Sequence, residues 1–445
     1  MMNEQKKTLI FVATALMLGL LGFLSAPKAS TPDAFADVGA AFFPDFTDPN
    51  TAAVLEVVKY DEETASARPF KVTFKKGLWV IPSEYNYPAD GKEQLSKTAA
   101  AMIQIKKEDF RTDNPAEFES LGVIDPLDES STAMSGHGKR VTVRNENDKV
   151  LADLIIGKKV SGKKDYYFVR EPEGKRVYTA KLNFEISTKF NDWIDTDLLQ
   201  LDKKRVSEIL LKDYSINEVT GTVDERGEIR LSKNGETWML DRMKPGEDLN
   251  TKKVAEVLSA LDELKIVGVR PKPSGLSAGL KKQSAGIEVS KDDMLSLQSK
   301  GYFFTRDGRL LSNEGELQLR TEDGVIYTLR FGEVVPGEND EDDSQTKENR
   351  FLFLTASFDE DAFKEPKQPE STAFETKPDS LWSAADRENK KQSRAHEKWQ
   401  KQVEDGKKLA SSLTNRFADW YYIIPGKNFD KLKLSRRELL KEKNS

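Results

Sequence analysis

Two histidines, no cysteine and 75 carboxylates bound the chemistry open to this 445-residue chain. His137 lies in Ser135-Gly-His-Gly138, and a glycine-flanked histidine can expose a base or meet a ligand. A solvated turn is the plainer reading, and His396, in a stretch dense with charge, reads as solvent-facing. A Ser-His-Asp arrangement through His137 has no Gly-x-Ser-x-Gly elbow to present the serine. Without cysteine there is no disulfide, thiolate metal site, cysteine nucleophile or lipobox attachment, and too few histidines remain to bind zinc. The run Glu338-Asn-Asp340-Glu-Asp342-Asp343 offers oxygens to calcium but lacks the glycine and closing glutamate of an EF-hand loop. A solvated hairpin loop is the favoured reading there.

No phosphate-cradling glycine pattern occurs. Asp125 and Asp192 are carboxylates that a hydrolase of envelope polymer could use. Trp79 and Trp238 suit sugar stacking or a core or half-buried place beside a turn, and the second is favoured. Phe417, Trp420, Tyr421 and Tyr422 precede Lys427, Lys431 and Lys433. Docking of this cluster onto the second unit is favoured, but it could also meet a partner or a headgroup layer, so these four aromatics are the candidate partner-contact residues. No catalytic, cofactor-binding or metal-binding residue is assigned, and no cofactor is expected.

The elements around these residues recur. Phe70-Lys-Val-Thr-Phe-Lys-Lys-Gly-Leu-Trp79 parallels Ile229-Arg-Leu-Ser-Lys-Asn-Gly-Glu-Thr-Trp238, each an alternating strand, a glycine turn and a tryptophan opening the next strand. At the same offset of 159 residues, Leu95, Ala99, Met102 and Ile105 match Val254, Leu258, Leu261 and Leu264. Each set forms one apolar stripe of a helix, with Asp90 and Asn250 at the expected N-caps and Glu93 completing a capping box. Val141–Arg144 with Val150–Gly157, and Leu317–Arg320 with Val325–Gly332, read as hairpins. Tyr166–Val169 and Arg350–Leu354 follow them, and Thr179-Ala180 is matched to Thr355-Ala356. Phe190-Asn-Asp-Trp193 returns as Phe417-Ala-Asp-Trp420 only after a charged stretch, which implies a solvated insertion, part of it helical from Asp386 to about Leu413.

Composition agrees with a globular protein with solvated faces. Charged residues make 32% of the chain, and 69 basic side chains nearly balance the acidic ones, so no concentrated basic surface points to nucleic acid. Behind Lys6 and Lys7, Thr8–Ala26 carries no charge and is long enough to cross a bilayer. The flanking lysines orient the remainder outward. Cleavage as a signal peptide would place Leu24 or Pro27 at the −3 site, so an uncleaved anchor is favoured.

These motifs, with Leu121-Gly122-Val123-Ile124-Asp125-Pro126 in the first half, resemble the exported family known as domain of unknown function 4340 over most of residues 50–360. In the second half Leu276-Ser-Ala-Gly279-Leu280 replaces the Leu-Gly…Asp-Pro turn, so the surfaces of the two halves need not be equivalent. The resemblance implies an anchored extracytoplasmic partner of ABC-type export systems related to gliding-motility accessory proteins, and brings no catalytic residues. The expected fold is α+β: a transmembrane helix, then two similar, mainly antiparallel sheet units with packed helices. The expected segments are a cytoplasmic N-terminus (1–7), anchor (8–26), linker (27–49), units 50–200 and 201–360, insertion 361–414 and a completing segment 415–445. The expected function is a non-catalytic accessory or scaffold protein. It would sit as a single-pass protein in a bacterial inner membrane, with its bulk in the periplasm, meeting the membrane through the N-terminal helix and protein partners in a transporter-like complex. The alternative is an exported envelope-polymer binding module or hydrolase.

Overall fold

The computed structural model describes residues 12–18, 35–217, 220, 222–282, 289–305, 308–336 and 348–441. The fold is mixed α+β with two large antiparallel sheets. Of the expected anchor, only 12–18 lie among the described residues, and these are helical. Among the described residues no helix is long and apolar enough to cross a membrane. The chain divides into two compact units, one comprising Met1–Phe74 and Lys92–Ile186, the other Lys75–Gly91 and Ser187–Ser445.

In the first unit, β1 (Val54–Asp61) and β2 (Ser66–Lys75) form a hairpin. The short strands β3 (Leu78–Ile81) and β4 (Tyr87–Pro88) group with the second unit. The first unit continues with β5 (Asp109–Thr112), β6 (Lys139–Arg144), β7 (Val150–Lys159), β8 (Tyr166–Arg170) and β9 (Val177–Lys181), ordered β2-β1-β6-β7-β8-β9-β5. Both faces of this sheet are covered: neighbours Leu154 and Ile155 on β7 point to opposite sides, and both are fully buried. Helix α1 (Lys92–Ile103) buries Leu95, Ala99 and Met102, while Leu121, Val123, Ile155 and Val177 form a separate cluster. Helix α1 starts at Lys92, so Asp90 stands too early to be its N-cap; the Asp90 N–H bonds Trp193 O at 2.8 Å instead. Residues 35–49, expected as linker, belong to the first unit because Phe42 and Phe46 bury their rings there.

The second unit contains β10 (Val206–Asn217), β11 (Thr222–Asn234), β12 (Thr237–Leu240), β13 (Gly268–Pro271), β16 (Glu316–Thr321), β17 (Val325–Pro336), β18 (Glu348–Phe358) and β19 (Trp420–Pro425). A separate two-stranded hairpin joins β14 (Tyr302–Phe304) to β15 (Leu310–Ser312). Its large sheet runs β12-β11-β10-β16-β17-β18-β19-β13, so from β11 onward it repeats the first unit's strand order. Helix α2 (Thr251–Asp262) buries Val254, Val257, Leu258 and Leu261, and the Asn250 side chain caps it by accepting from Lys253 N at 3.3 Å. Helices α3 (Ser274–Lys282) and α4 (Lys291–Gln298) supply Leu276 and Leu297 to a cluster with Tyr302, Phe353 and Tyr421.

Strand order corrects one alignment. The counterpart of β9 is β19, so Thr179-Ala180 belongs with the strand at 420–425 and not with Thr355-Ala356 on β18. Phe190–Trp193 is a 3-10 turn after β9, whereas Phe417 lies in the last turn of a helix and Trp420 opens a strand. The inserted chain therefore lies between β18 and β19. It includes the 35-residue helix α5 (Ala384–Ala418), which buries Gly406, Ala410, Leu413, Thr414, Phe417 and Ala418, so it is not simply a solvated insertion. Helix α6 (Gly426–Leu432) follows β19.

Candidate functional site

A polar constellation of the first unit surrounds the two candidate residues Asp125 and His137. A helical turn at Phe118–Leu121 stops at Gly122, whose φ of +71° is the left-handed conformation that a glycine C-cap adopts readily. Ile124 N then bonds Gly136 O at 3.2 Å and Gly138 N bonds Ile124 O at 2.8 Å, closing the loop between them at its base. The close approach depends on missing side chains. A Cβ on Gly138 would stand 2.9 Å from Gly122 O, and one on Gly157 would stand 2.6 Å from Leu121 O. Ser135-Gly-His-Gly138 is therefore a pinned crossing of backbones and not a loose turn.

Arg140 is the centre of the charge network. Its Nη1 donates to Asp125 Oδ2 at 2.9 Å, while Nε and Nη2 form a fork on Asp153 at 3.0 and 2.7 Å. Thr142, opposite Asp153 in the β6–β7 register, donates to the same carboxylate at 3.0 Å. Asp125 also accepts from Leu127 N at 3.0 Å, which shapes the Asp-Pro turn. The Asp153 hydrogen bond raises the Arg140 pKa, so the guanidinium is a fixed cation and no proton donor.

Arg170, only 6% exposed, gives Nε to Val123 O at 3.1 Å and Nη1 to the carbonyls of Glu171, Pro172 and Gly174 at 3.3, 2.8 and 2.9 Å. Burial lowers its pKa. His137 stacks on Tyr60 with ring centroids 3.7 Å apart, and its buried Nδ1 finds no partner among the described residues. Burial lowers the His137 pKa, against the pull of Glu62, Asp128, Asp125 and Glu119. Ser135 donates to Glu119 at 3.1 Å, so the only serine beside His137 in sequence is engaged elsewhere.

A second cluster escaped the sequence reading. Asp37 accepts from the Tyr178 hydroxyl and from Lys107 and Arg176, both at 3.4 Å. Burial, followed by that hydrogen bond, pushes the Tyr178 hydroxyl up to about 12. The cluster fastens the start of the first unit to β9.

In the second unit, three of the four candidate contact aromatics are core. Phe417, Tyr421 and Tyr422 are at most 1% exposed, and a buried ring presents no surface to a partner. Trp420 alone is half-buried, edge-on to Tyr87 at 5.1 Å. The neighbouring sequence missed Lys272, a buried amine that donates to Phe417 O at 2.9 Å and lies 4.0 Å from the Phe353 ring centre. Burial drives its pKa well down. Asp419, near by, is bound by Ser277 and by Lys281 at 2.7 Å. A cleft of about 650 Å³ lies between α3, β18 and α5, lined by Leu280, Thr355, Ser357, Phe358, Lys407 and Thr414.

Asp192 accepts from Ser187 and lies in the second unit, while Asp125 lies in the first. Trp79 and Trp238 are both half-buried. His396 is not solvent-facing: its side chain is 16% exposed, 3.4 Å from Glu365 and 5.2 Å, centre to centre, from the Trp399 ring. The acidic run 338–343 lies outside the described residues. Among the described residues no group of three or more His, Asp or Glu side chains is placed to hold a metal ion.

Residues 79–282 match a family model described as Domain of unknown function (DUF4340). The matched segment opens at Trp79 in β3 and closes at Lys282, the last residue of α3. Neither the curated proteins nor the solved structures gave a match.

Proposed function

We propose, from that match and the geometry above, that the chain is a non-catalytic accessory or scaffold protein carrying two DUF4340-like units. In this reading the segment 8–26 anchors it in a bacterial inner membrane and leaves its bulk outside the cytoplasm, beside an ABC-type transport or motility-like complex. The observation that carries the reading is how the reactive side chains are used. Asp125, Arg140 and Asp153 satisfy one another, Arg170 gathers backbone carbonyls, and Lys272 holds the end of α5. An active site instead aims its polar groups at a place where a substrate can sit. The shared strand order of the two sheets supports the tandem part of the reading, since two like surfaces on one chain raise the effective concentration for a multivalent partner. The uncharged run behind Lys6 and Lys7 supports the anchor.

Affinity purification of the full-length protein from its native membrane, beside a variant lacking residues 1–29, tests this. Transporter-like subunits should co-purify with the full-length form and fall away from the truncated one. Recovery of envelope polymer with both forms would instead establish the binding-module or hydrolase alternative.

A further inference from the structure

We propose that the outward edge of β11, Thr222–Glu228, receives an extended segment of a partner protein bearing lysine or arginine, which adds to the sheet as one more strand. This rests on the accessory reading and specifies the chemistry of its partner.

The ribbon is built to project. Pairing of β10 with β16 ends at Lys212, and pairing of β11 with β12 ends at Leu231. Beyond those points β10 and β11 pair with each other as far as Asn217 and Thr222. Residues 222–228 are all exposed. The ribbon is also braced: Arg226 gives Nε to Asp213 at 2.9 Å, Nη1 to Ser215 at 3.2 Å and Nη2 to Tyr214 O at 3.3 Å. A braced ribbon offers a free edge without a large ordering cost on binding.

Among the described residues no strand pairs with this edge, which carries a bulge at Arg226, the extra residue between the Asp213–Gly227 and Tyr214–Glu225 pairs, but lacks the proline and lysine of the first unit. Unpaired edges invite strand addition, and proline or lysine commonly blunts them. Phe74 N bonds Ala53 O, so by alternation along β2 the ring nitrogen of Pro69 faces away from β1. Pro69 removes a donor there, and Lys71 adds a charge on the same strand. The residue 159 positions after Pro69 is Glu228. Asp241 N bonds Arg230 O, so the backbone of Arg230 faces outward, and Glu228, two residues earlier, does the same with its N–H intact. No proline or lysine lies in Thr222–Arg230.

Charge selects the occupant. Arg226 is committed to Asp213 and Arg230 to Glu208 and Glu228, so Asp224 and Glu225 give the edge an acidic excess. A second copy of β11 paired parallel and in register would bring these carboxylates against their own kind, whereas a basic strand would meet them favourably.

Amide hydrogen exchange of the full-length protein, with an alternating Lys–Val decapeptide as probe and an alternating Glu–Val decapeptide as control, tests the edge. The Lys–Val peptide should slow exchange at 222–228 and the Glu–Val peptide should not. Glu228→Pro, which copies the blunting of the first unit, should weaken binding by about tenfold or more. Asp224→Lys with Glu225→Lys, confined to exposed side chains, should weaken it about as much. Absence of protection, or equal binding by the variants, overturns the proposal. In the membrane purification, partners retained by Glu228→Pro would also overturn it while leaving the accessory reading intact. A wild-type protein that retains no membrane partner would overturn the accessory reading, and the peptide result alone would then decide the edge.

Discussion

Arg140 holds two carboxylates that the fold has taken largely out of water, with Asp125 and Asp153 side chains 15% and 18% exposed. Removing the guanidinium would leave both unpaired, and stranded buried charge costs more than the pair had contributed. Arg140→Ala should therefore lower the free energy of unfolding by roughly 2–4 kcal/mol in urea titrations. Arg140→Lys should recover little, because an ammonium cannot reproduce the fork on Asp153. A change within about 0.5 kcal/mol would mean Asp125 does not need its partner and would return it to the list of candidate catalytic acids. Lys272 invites a test through pH. Burial holds its folded pKa well below 10.5, so the unfolded chain binds a proton that the folded chain releases. Stability should rise with pH from that lowered value to about 10.5, and fall as pH drops through it. Lys272→Met should remove this gain between neutral and alkaline pH, as read from unfolding midpoints across the range. An unchanged slope would show that the amine stays protonated against Phe417 O and the Phe353 ring.

Helix α5 shows how an element can be visible in sequence while its role is not. Its start is built by Ser383 and Asp386, each side chain accepting from the other's backbone N–H. The Ser383 contacts, with Lys377 beyond them, hold the Asp386 carboxyl at about 2. The stabilisation is thus complete above the ordinary carboxylate value of 3.8 and disappears as pH falls through about 2. Carboxyl NMR should find that midpoint, and Ser383→Ala should move it up towards 3.8; a wild-type midpoint near 3.8 would discard the capping box as the cause. At the other half of the helix, a Cβ on Gly406 would stand 2.5 Å from Phe358 Cε2. Gly406→Ala should cost about 1–2 kcal/mol despite alanine's better helix propensity, measured by urea unfolding. Equal or greater stability would show that α5 can move off β18. The buried stripe was illegible because Gly406, Ala410 and Thr414 are small or polar, and the surrounding lysines and glutamates read as solvated. Helices α1 and α2 were legible because large apolar residues recur at helical spacing. Strands β5 and β13 were not, since four residues such as Asp109-Phe-Arg-Thr112 show little alternation. At the candidate site, Gly136 and Gly138 suggested freedom in the sequence, whereas their use is close backbone approach, which only the fold can display.

At the scale of the whole chain, sequence order and compact unit part company at Lys75–Gly91. This segment precedes α1 of the first unit but belongs to the second. There Tyr87, 6% exposed, meets Phe190 at 5.4 Å and Trp420 at 5.1 Å, while Arg270 lies over the Tyr85 ring at 5.5 Å. The Asp90 N–H bond to Trp193 O closes the same patch. A second unit cut from the chain at residue 187 would thus lack a piece of its own core, and boundaries drawn from sequence repeats would place that piece in the wrong fragment. Fragment 187–441 should unfold at lower temperature than the unit does within the whole protein, and a synthetic 75–91 peptide should restore it in trans. Because the peptide binds only the folded fragment, the midpoint should climb with its concentration, by about 2.7 kcal/mol of stabilisation at a hundredfold excess over Kd. The same peptide with Tyr87→Ala should give little of that shift, since the ring carries both aromatic contacts. A fragment indifferent to either peptide would return Lys75–Gly91 to the first unit, within the expected boundaries of 50–200.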